Sequence, residues 1–200
     1  MSYNERELNS FFNIGKFNHP VEIGYVMNEI RKAKPVTINE WRFYYYDNVR
    51  SETQLHDIAV RMYNSIDESK RNNYSVKICL NYIKDVIFRR TFEGYNKENE
   101  ALKVLNSLLN AEVLLSPKEW DGEYFIDFVI RKPLIGIQLK PATFYQGGYD
   151  RVVKIDNKLK EFESTYNAKT FVLVYEKNDN SLQITNTEVL SEILNLINNF

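Results

Sequence analysis

Two runs of aromatic and β-branched residues flank a short polar turn in the second half of the chain, and this pairing constrains the fold most. Residues 124–130 read YFIDFVI and residues 134–140 read LIGIQLK. Runs of this kind are typical of β-strands, and the segment Arg131-Lys132-Pro133 between them supplies a turn. The sequence therefore predicts a β-hairpin and excludes an all-helical protein.

The elements around this hairpin predict a mixed core. Apolar spacing predicts a helix over 98–111, a basic helix over 150–163 and a closing helix after Asn186, while β-rich runs predict strands over 170–175 and 182–185. The order of helix, two strands, helix, two strands and helix is typical of an α/β or α+β fold. We expect a central mixed sheet with flanking helices.

The first half of the chain is predicted to be helical. Apolar spacing predicts helices over 21–34, ended by Pro35, and over 74–90, and residues 51–54 (SETQ) match a capping box. The aromatic cluster at 41–46 is assigned to packing, in the core or in a dimer. Since no Gly/Pro/Ser-rich linker is present, we expect a single domain over 1–200, with a helical elaboration at 1–95 and an α/β core at 96–200.

Composition excludes several classes of protein. The chain is 44% hydrophobic and 26% charged, which excludes intrinsic disorder, and its single cysteine, Cys79, excludes an internal disulfide. No signal peptide is recognisable, and no apolar stretch approaches the roughly 20 residues that span a bilayer. We expect a soluble cytoplasmic protein with a buried Cys79 thiol.

One polar residue interrupts the first strand of the predicted hairpin, and this residue is Asp127. Alternation along the partner strand places Gln138 and Lys140 on one face. A carboxylate within such a strand is costly to bury unless it is paired or binds a cation. The hairpin alone leaves both interpretations open, an Asp127–Lys140 salt bridge or a divalent ion between Asp127 and Gln138.

The preceding helix favours the second interpretation. Its apolar face centres near Ala101 and Leu105, about 40° from Glu98 and about 120° from Glu100. We therefore expect Glu98 to project from the first turn towards the sheet, and Glu100 to face solvent.

A helix Glu, a strand Asp and a polar–apolar–Lys ending on the next strand resemble the PD-(D/E)xK nuclease superfamily. The motif positions are Glu98, Asp127 and 138–140; Ile126 stands at the Pro position and Gln138 at the acidic one. More narrowly, residues 135–144 (IGIQLKPATF) and 40–45 (EWRFYY) are similar to the MjaI-like type II restriction endonucleases.

The resemblance implies a Mg²⁺-dependent endonuclease, with Mn²⁺ as a substitute, that cuts double-stranded DNA at a short palindrome of the CTAG type. It implies a homodimer and a cognate methyltransferase. Asp127, Gln138, the Leu139 carbonyl and Glu98 would bind the metal, and Lys140 would orient or deprotonate the attacking water.

A local excess of positive charge lies between residues 131 and 160, and it supplies candidates for phosphate contacts. These candidates are Arg131, Lys132, Arg151, Lys154 and Lys158.

Two alternatives to the restriction enzyme remain open. One is a structure-selective or repair nuclease of the same fold. The other is a non-catalytic α/β protein in which Asp127 and Lys140 form only an ion pair. The two histidines, His19 and His56, lie on unrelated segments, which gives a histidine-based triad or zinc site little support.

Overall fold

The structure is a computed structural model that describes residues 4–146, 149–178 and 181–200. The chain divides into two compact units, Met1–Lys97 and Glu98–Phe200. This division falls two residues from the predicted boundary between the helical elaboration and the α/β core. That the two units together form a single nuclease domain stays a prediction.

The first unit is helical. Its helices are α1 (Glu5–Ile14), α2 (Pro20–Ile23), α3 (Val26–Ala33), α4 (Ile38–Asn48), α5 (Glu52–Asn64), α6 (Glu68–Arg71) and α7 (Val76–Lys84), followed by a π-helical turn (Asp85–Arg90) and the start of α8 (Thr91–Leu109). The predicted helix over 21–34 is wrong as one piece. Gly24 divides it, because its φ of 76° is left-handed and an added Cβ would lie 2.4 Å from Val49 Cγ1.

The aromatic cluster lies on α4 and belongs to the core of this unit. Trp41 and Tyr45 are fully buried. The indole Nε1 of Trp41 donates to the carbonyl of Ile87 at 2.9 Å, and the Tyr45 hydroxyl donates to the carbonyl of Ile23 at 2.9 Å. Because both rings are satisfied inside the unit, packing in the core accounts for them and neither is available to a dimer surface.

The capping box at the start of α5 is confirmed. The Gln54 N–H donates to Ser51 Oγ at 3.3 Å, and Gln54 Oε1 accepts from the Ser51 N–H at 2.8 Å. The buried face of this helix comprises Leu55, Ile58, Ala59 and Met62.

The second unit is built on a five-stranded mixed sheet. Its strands are β1 (Leu114–Leu115), β2 (Phe128–Arg131), β3 (Leu134–Pro141), β4 (Lys169–Asn178) and β5 (Ser181–Ile184), and its helices besides α8 are α9 (Lys118–Tyr124), α10 (Tyr149–Tyr166) and α11 (Thr187–Asn198). The strands lie in sequence order; β3 and β4 are parallel and the other neighbours are antiparallel. The predicted central mixed sheet with flanking helices is confirmed.

The two faces of β3 belong to different layers. Ile135 and Ile137 pack in a core cluster with residues of α8 and α11. Gly136 faces the other layer, where a Cβ would lie 2.8 Å from Ile126 and 3.2 Å from Phe162 of α10. By alternation, Gln138 and Lys140 lie on the same face as Gly136.

Two predicted element boundaries are wrong. Residues 124–127 are not strand, because α9 ends at Tyr124 and β2 begins at Phe128. Helix α8 begins at Thr91, so Glu98 and Glu100 lie in its middle rather than in its first turn. Among the helices that the structure describes, none is long and apolar enough to cross a membrane.

Candidate active site

Asp127 lies immediately before β2, and backbone hydrogen bonds hold it in the sheet. Its N–H donates to the carbonyl of Ile137 at 2.9 Å, and its carbonyl accepts from the N–H of Ser116 at 3.0 Å. The register ends with Phe128 opposite Ile137, and the Asp127 N–H bonds to the carbonyl of Ile137, so Asp127 lies beside the peptide unit that joins Ile137 to Gln138. The residue is therefore held from both neighbouring segments although the strand itself starts one residue later.

The turn before Asp127 is set by the end of α9. Phe125 is left-handed, with φ at 61°, and its N–H donates to the carbonyl of Asp121 at 3.1 Å. The N–H of Ile126 donates to the carbonyl of Trp120 at 3.3 Å. These capping bonds end the helix and deliver Ile126 to the core and Asp127 to the sheet.

The Asp127 carboxylate is fixed against the next strand and is poorly solvated. Its Oδ2 accepts from the N–H of Leu139 at 2.7 Å. Burial raises the pKa of this carboxyl to about 6, the Leu139 hydrogen bond and the charge of Lys140 oppose the shift, and the charges of Asp121 and Glu98 add to it. The negative charges of Asp121 and Glu98 thus both make ionisation of Asp127 less favourable.

Gln138 is the most unusual polar residue of the site. It is 1% exposed, and neither its Oε1 nor its Nε2 has a hydrogen-bond partner within the part of the chain that the structure describes. An unpartnered buried amide costs stability, and native proteins rarely keep one without a reason. Asp127 lies beside the peptide unit of Gln138, and its carboxylate and the Gln138 amide both carry oxygen, the donor type that Mg²⁺ prefers.

Lys140 does not pair with Asp127. None of the ion pairs among the described residues joins these two side chains; instead Lys140 Nζ lies 5.6 Å from the centre of the Phe144 ring. The ammonium group still lowers the pKa of Asp127 by its charge. Leu139, which lies between Gln138 and Lys140 in sequence, packs its side chain on the other face of the sheet, with Ile135 and Ile137.

The two glutamates of α8 are both half-buried but have different interactions. Glu98 is half-buried and lies three residues before the buried Ala101, and its charge raises the pKa of Asp127. The exposed position predicted for Glu100 is wrong. Glu100 Oε1 accepts from the N–H of Leu182 at 2.9 Å, and Oε2 lies 3.6 Å from Lys177 Nζ.

Two lysines of α10 lie over the segment that leads to Asp127. Lys154 Nζ is 5.9 Å from the centre of the Phe125 ring, and Lys158 Nζ is 5.7 Å from that of Tyr124. Lys158 also pairs with Glu161 at 2.7 Å. These two phosphate-contact candidates are therefore brought to the face that carries Gln138.

The other phosphate-contact candidates are placed differently. Arg131 and Lys132 are exposed at the β2–β3 turn, about 13 Å from Gln138 along β3. The backbone of Arg151 lies in α10, and its side chain is outside the described residues. That any of the five contacts DNA stays a prediction.

Sequence reasoning missed Asp121. This residue is half-buried on α9, and its charge raises the pKa of Asp127. The segment 118–124 carries no long apolar pattern, so only its capping relation to Asp127 in the folded chain identifies it.

No group of three or more His, Cys, Asp or Glu side chains among the described residues is arranged to hold a metal ion by itself. The donors that fit a cation are instead the Asp127 carboxylate and the Gln138 amide, with Glu98 close enough to act by its charge. A site of this kind has few direct side-chain ligands and suits Mg²⁺, which keeps several of its waters when bound to proteins.

Comparison with known proteins gives one match over nearly the whole chain. A family model described as MjaI restriction endonuclease matches residues 5–190. Over 142 residues the chain is also 28% identical to autophagy-related protein 11 of Vanderwaltozyma polyspora, and this match covers 70% of the chain but 11% of that protein. No solved structure matches the chain at a significant level.

Proposed function

The chain belongs to the MjaI restriction endonuclease family, and we propose that it is a Mg²⁺-dependent enzyme that cuts both strands of double-stranded DNA at a short palindromic site. The family match confirms the resemblance predicted from residues 40–45 and 135–144. The observation that carries the proposed metal dependence is Gln138, whose buried amide is unpartnered among the described residues and whose peptide unit lies beside Asp127.

In this proposal Asp127 and Gln138 hold the cation by side-chain oxygens, with the Leu139 carbonyl and Glu98 as further candidates. When bound, Mg²⁺ supplies Lewis-acid polarisation of the scissile phosphate and a water of lowered pKa. The Leu139 N–H keeps the Asp127 carboxylate in one orientation, and burial of Gln138 restricts its amide to few rotamers. Both effects preorganise the donors before DNA binds.

Lys140 acts on the phosphate in the same proposal. Its ammonium, close enough to Asp127 to lower the pKa of that carboxyl, donates hydrogen bonds to the attacking water or to a non-bridging phosphate oxygen. Water adds to phosphorus, one P–O bond to a sugar oxygen breaks, and that oxygen takes up a proton. The positive charge of Lys140 stabilises the negative charge that grows on the phosphoryl oxygens.

The remaining parts of the proposal follow from the family. We propose a CTAG-type site, a homodimer whose two-fold axis matches that of the palindrome, action in the cytoplasm beside a cognate methyltransferase, and Mn²⁺ as a substitute for Mg²⁺. Lys154 and Lys158 are the phosphate contacts that the geometry favours most, because they lie over the segment leading to Asp127.

Digestion of a fully sequenced plasmid with Mg²⁺, followed by sequencing of the cut ends, tests the proposal. We expect discrete fragments with one palindromic sequence at every end, and a dimer in light scattering. Cleavage of branched but not plain duplexes would assign a structure-selective nuclease instead. No cleavage, together with a melting temperature indifferent to Mg²⁺ and Mn²⁺, would assign a non-catalytic protein.

A further inference from the structure

Helices α3 and α4 form a helix–turn–helix pair in the first unit. Residues 34–37 join the two helices, with Lys34 ending α3 at a left-handed φ of 48° and the Thr37 side chain capping the start of α4. Ile30 of α3 and Trp41 of α4 are both fully buried in one core cluster. Because the two helices share a core and a short turn, packing fixes which side of α4 faces outward.

The outer side of α4 is exposed near the start of the helix. Asn39, Arg42 and Phe43 are exposed at its second, fifth and sixth positions, and Phe43 is 71% exposed. Spacings of three and four residues bring Arg42 and Phe43 beside Asn39 on one side of the helix. Val36, in the turn before the helix, is 82% exposed. We call these four residues the α4 face.

The side chains of the α4 face match base edges in the major groove of DNA. Within the residues described, the Asn39 amide has no hydrogen bond and the Arg42 guanidinium has no ion pair, although Arg42 Cζ lies 5.6 Å from the centre of the Phe88 ring. A guanidinium donates two hydrogen bonds to guanine, an asparagine amide pairs with adenine, and a phenylalanine ring packs on the thymine methyl. In DNA-binding helix–turn–helix proteins, the N-terminal residues of the second helix make these contacts.

Charge near the start of α4 also favours DNA. Lys34 and Arg42 are exposed and form no ion pair within the part of the chain that the structure describes. The exposed Glu40 carboxylate accepts from the N–H of Val36 at 2.8 Å, and Asp47, the other exposed acid of α4, lies about two turns further along the helix. The positive end of the helix dipole lies at the same place as the two free cations.

The composition of the α4 face suits DNA better than a second copy of the chain. A stable protein interface buries about 800 Å² per partner around an apolar core that is depleted in charged residues. The large apolar side chains of the α4 face are Val36 and Phe43, and they alternate with Asn39 and Arg42. Because separate contacts to base edges need no continuous apolar area, this composition favours the major groove.

We propose that the α4 face lies in the major groove and reads the recognition sequence, with Arg42 on a guanine, Asn39 on an adenine and Phe43 on a thymine methyl. This inference rests on the proposed nuclease function. A half-site of the CTAG type contains one G·C and one A·T pair, so Arg42 reads the first pair, and Asn39 and Phe43 read the two bases of the second. Lys34 contacts the phosphate backbone and positions the helix without reading sequence.

Cleavage of short duplexes with Mg²⁺ tests this assignment. One duplex carries the palindrome recovered from the cut plasmid ends, and the others carry it with one base pair changed; discrimination is the ratio of kcat/KM for the first duplex to that for a changed one. We expect Arg42→Gln to lose about tenfold or more of the discrimination at the G·C pair, and Asn39→Ala to lose as much at the A·T pair. Lys34→Gln should weaken binding to all duplexes equally and reduce the slope of log K against log salt by about 1.

Matched controls lie on α1 of the same unit. They apply the same substitutions to exposed residues of the same kind, Arg6→Gln, Asn13→Ala and Ile14→Ala for Phe43→Ala. Both sets should keep the wild-type melting temperature because the side chains are exposed, and the α1 variants should keep the wild-type discrimination. Arg42→Lys retains the charge but not the paired donors, so it should lose the same discrimination as Arg42→Gln.

Outcomes for this inference and for the proposed function differ. If the wild type cuts no DNA, or cuts at no fixed sequence, the proposed function itself fails. If the wild type is specific and Arg42→Gln and Asn39→Ala keep its discrimination at every base pair, the inference alone is overturned. It is also overturned if Arg42→Lys restores discrimination in full, since charge alone then suffices. A monomer in light scattering of Phe43→Ala beside a dimeric wild type would assign the α4 face to contact between copies of the chain instead.

Discussion

The carboxylate of Asp127 is bonded to the backbone of the neighbouring strand and not to the lysine beside it. Its Oδ2 accepts from the N–H of Leu139 at 2.7 Å, and no ion pair joins it to Lys140 among the residues described. The same peptide unit connects Leu139 to Gln138, so this hydrogen bond sets the position of the carboxylate relative to the strand that carries the amide. Lys140 Nζ lies instead 5.6 Å from the centre of the Phe144 ring.

The raised pKa of Asp127 predicts a pH-dependent stability. Burial raises this pKa to about 6, above the ordinary aspartate value of about 4, so the folded state holds the proton more tightly than the unfolded state. The free energy of unfolding therefore falls as pH rises from about 4 to about 6, by up to about 3 kcal/mol, and does not recover above that range. We expect Asp127→Asn to be more stable than the wild type at pH 8 and equal to it near pH 4. Urea unfolding of both proteins across this range measures the difference.

A control for this prediction is Glu123→Gln, which removes an exposed carboxylate from α9. Its stability should follow the wild-type profile at every pH. A stability difference between Asp127→Asn and the wild type that does not change with pH would contradict the assigned titration.

Lys140→Ala is expected to abolish cleavage and to leave specific DNA binding within about tenfold of the wild type. In the proposed mechanism the ammonium stabilises charge that develops only in the transition state, and removal of one such donor costs about 10² to 10³ in rate. Plasmid cleavage with Mg²⁺ and fluorescence anisotropy in chelator separate the two effects. The matched control is Lys160→Ala, which removes an exposed lysine of α10 and should leave cleavage unchanged. Cleavage at the wild-type rate by Lys140→Ala would contradict a PD-(D/E)xK mechanism.

Substitution of Glu98 is expected to impair cleavage, whereas substitution of Glu100 is expected to lower stability. Glu98→Gln removes a charge that acts on Asp127 and should lower the cleavage rate by about a hundredfold with little change in stability. Glu100→Ala removes the acceptor of the Leu182 N–H and should cost about 1–3 kcal/mol of stability. Cleavage rates at saturating Mg²⁺ and urea unfolding of both variants decide the matter. The reverse assignment would make Glu100 the catalytic carboxylate.

Local patterns in the sequence were sufficient where the structure depends on local interactions. The Ser51–Gln54 capping box and the buried face of α5 involve residues within a few positions of one another. The β2–β3 hairpin is also local, and alternation along β3 correctly placed Gln138 and Lys140 on one face. Gly24, by contrast, divides a helix whose apolar spacing is continuous, because the left-handed φ at this glycine is not visible in periodicity.

Long-range contacts explain what the sequence did not predict. Glu100 is half-buried because it binds the start of β5, 82 residues away, and the apolar pattern of α8 contains no trace of this partner. Asp121 was missed for a different reason, because the seven-residue helix that carries it has no long apolar pattern. Among the candidate site residues, those of the hairpin and Glu98 were therefore named from local sequence patterns, whereas Asp121 was not.

We expect the lysines of α10 and the basic residues of the hairpin turn to contribute differently to DNA binding. Lys154 and Lys158 lie over the segment before Asp127, whereas Arg131 and Lys132 lie at the far end of the hairpin. We expect Lys154→Gln and Lys158→Gln each to weaken binding and to reduce the slope of log K against log salt by about 1. The variants Arg131→Gln and Lys132→Gln test the turn in the same titration. A slope unchanged in both α10 variants would exclude this helix from the DNA interface.

The Gln138→Met variant is expected to be more stable than the wild type but inactive. The amide of Gln138 is 1% exposed and unpartnered among the described residues, so its burial costs about 1–3 kcal/mol without any compensating hydrogen bond. Methionine has a similar length and no strong polar atom, and it removes that cost. We expect a higher free energy of unfolding in chelator, together with loss of the Mg²⁺-induced rise in melting temperature and of cleavage.

Gln138→Glu is the matched variant, because it keeps the oxygen and adds a charge. A second carboxylate opposite Asp127 should lower stability in chelator at pH 8 by like-charge repulsion and should increase the stabilisation that Mg²⁺ provides. Cleavage should persist in this variant, since the oxygen that binds the cation is retained. If Gln138→Met instead lowers stability and Mg²⁺ stabilises it as strongly as the wild type, the amide is a packing residue, and the metal must bind without Gln138.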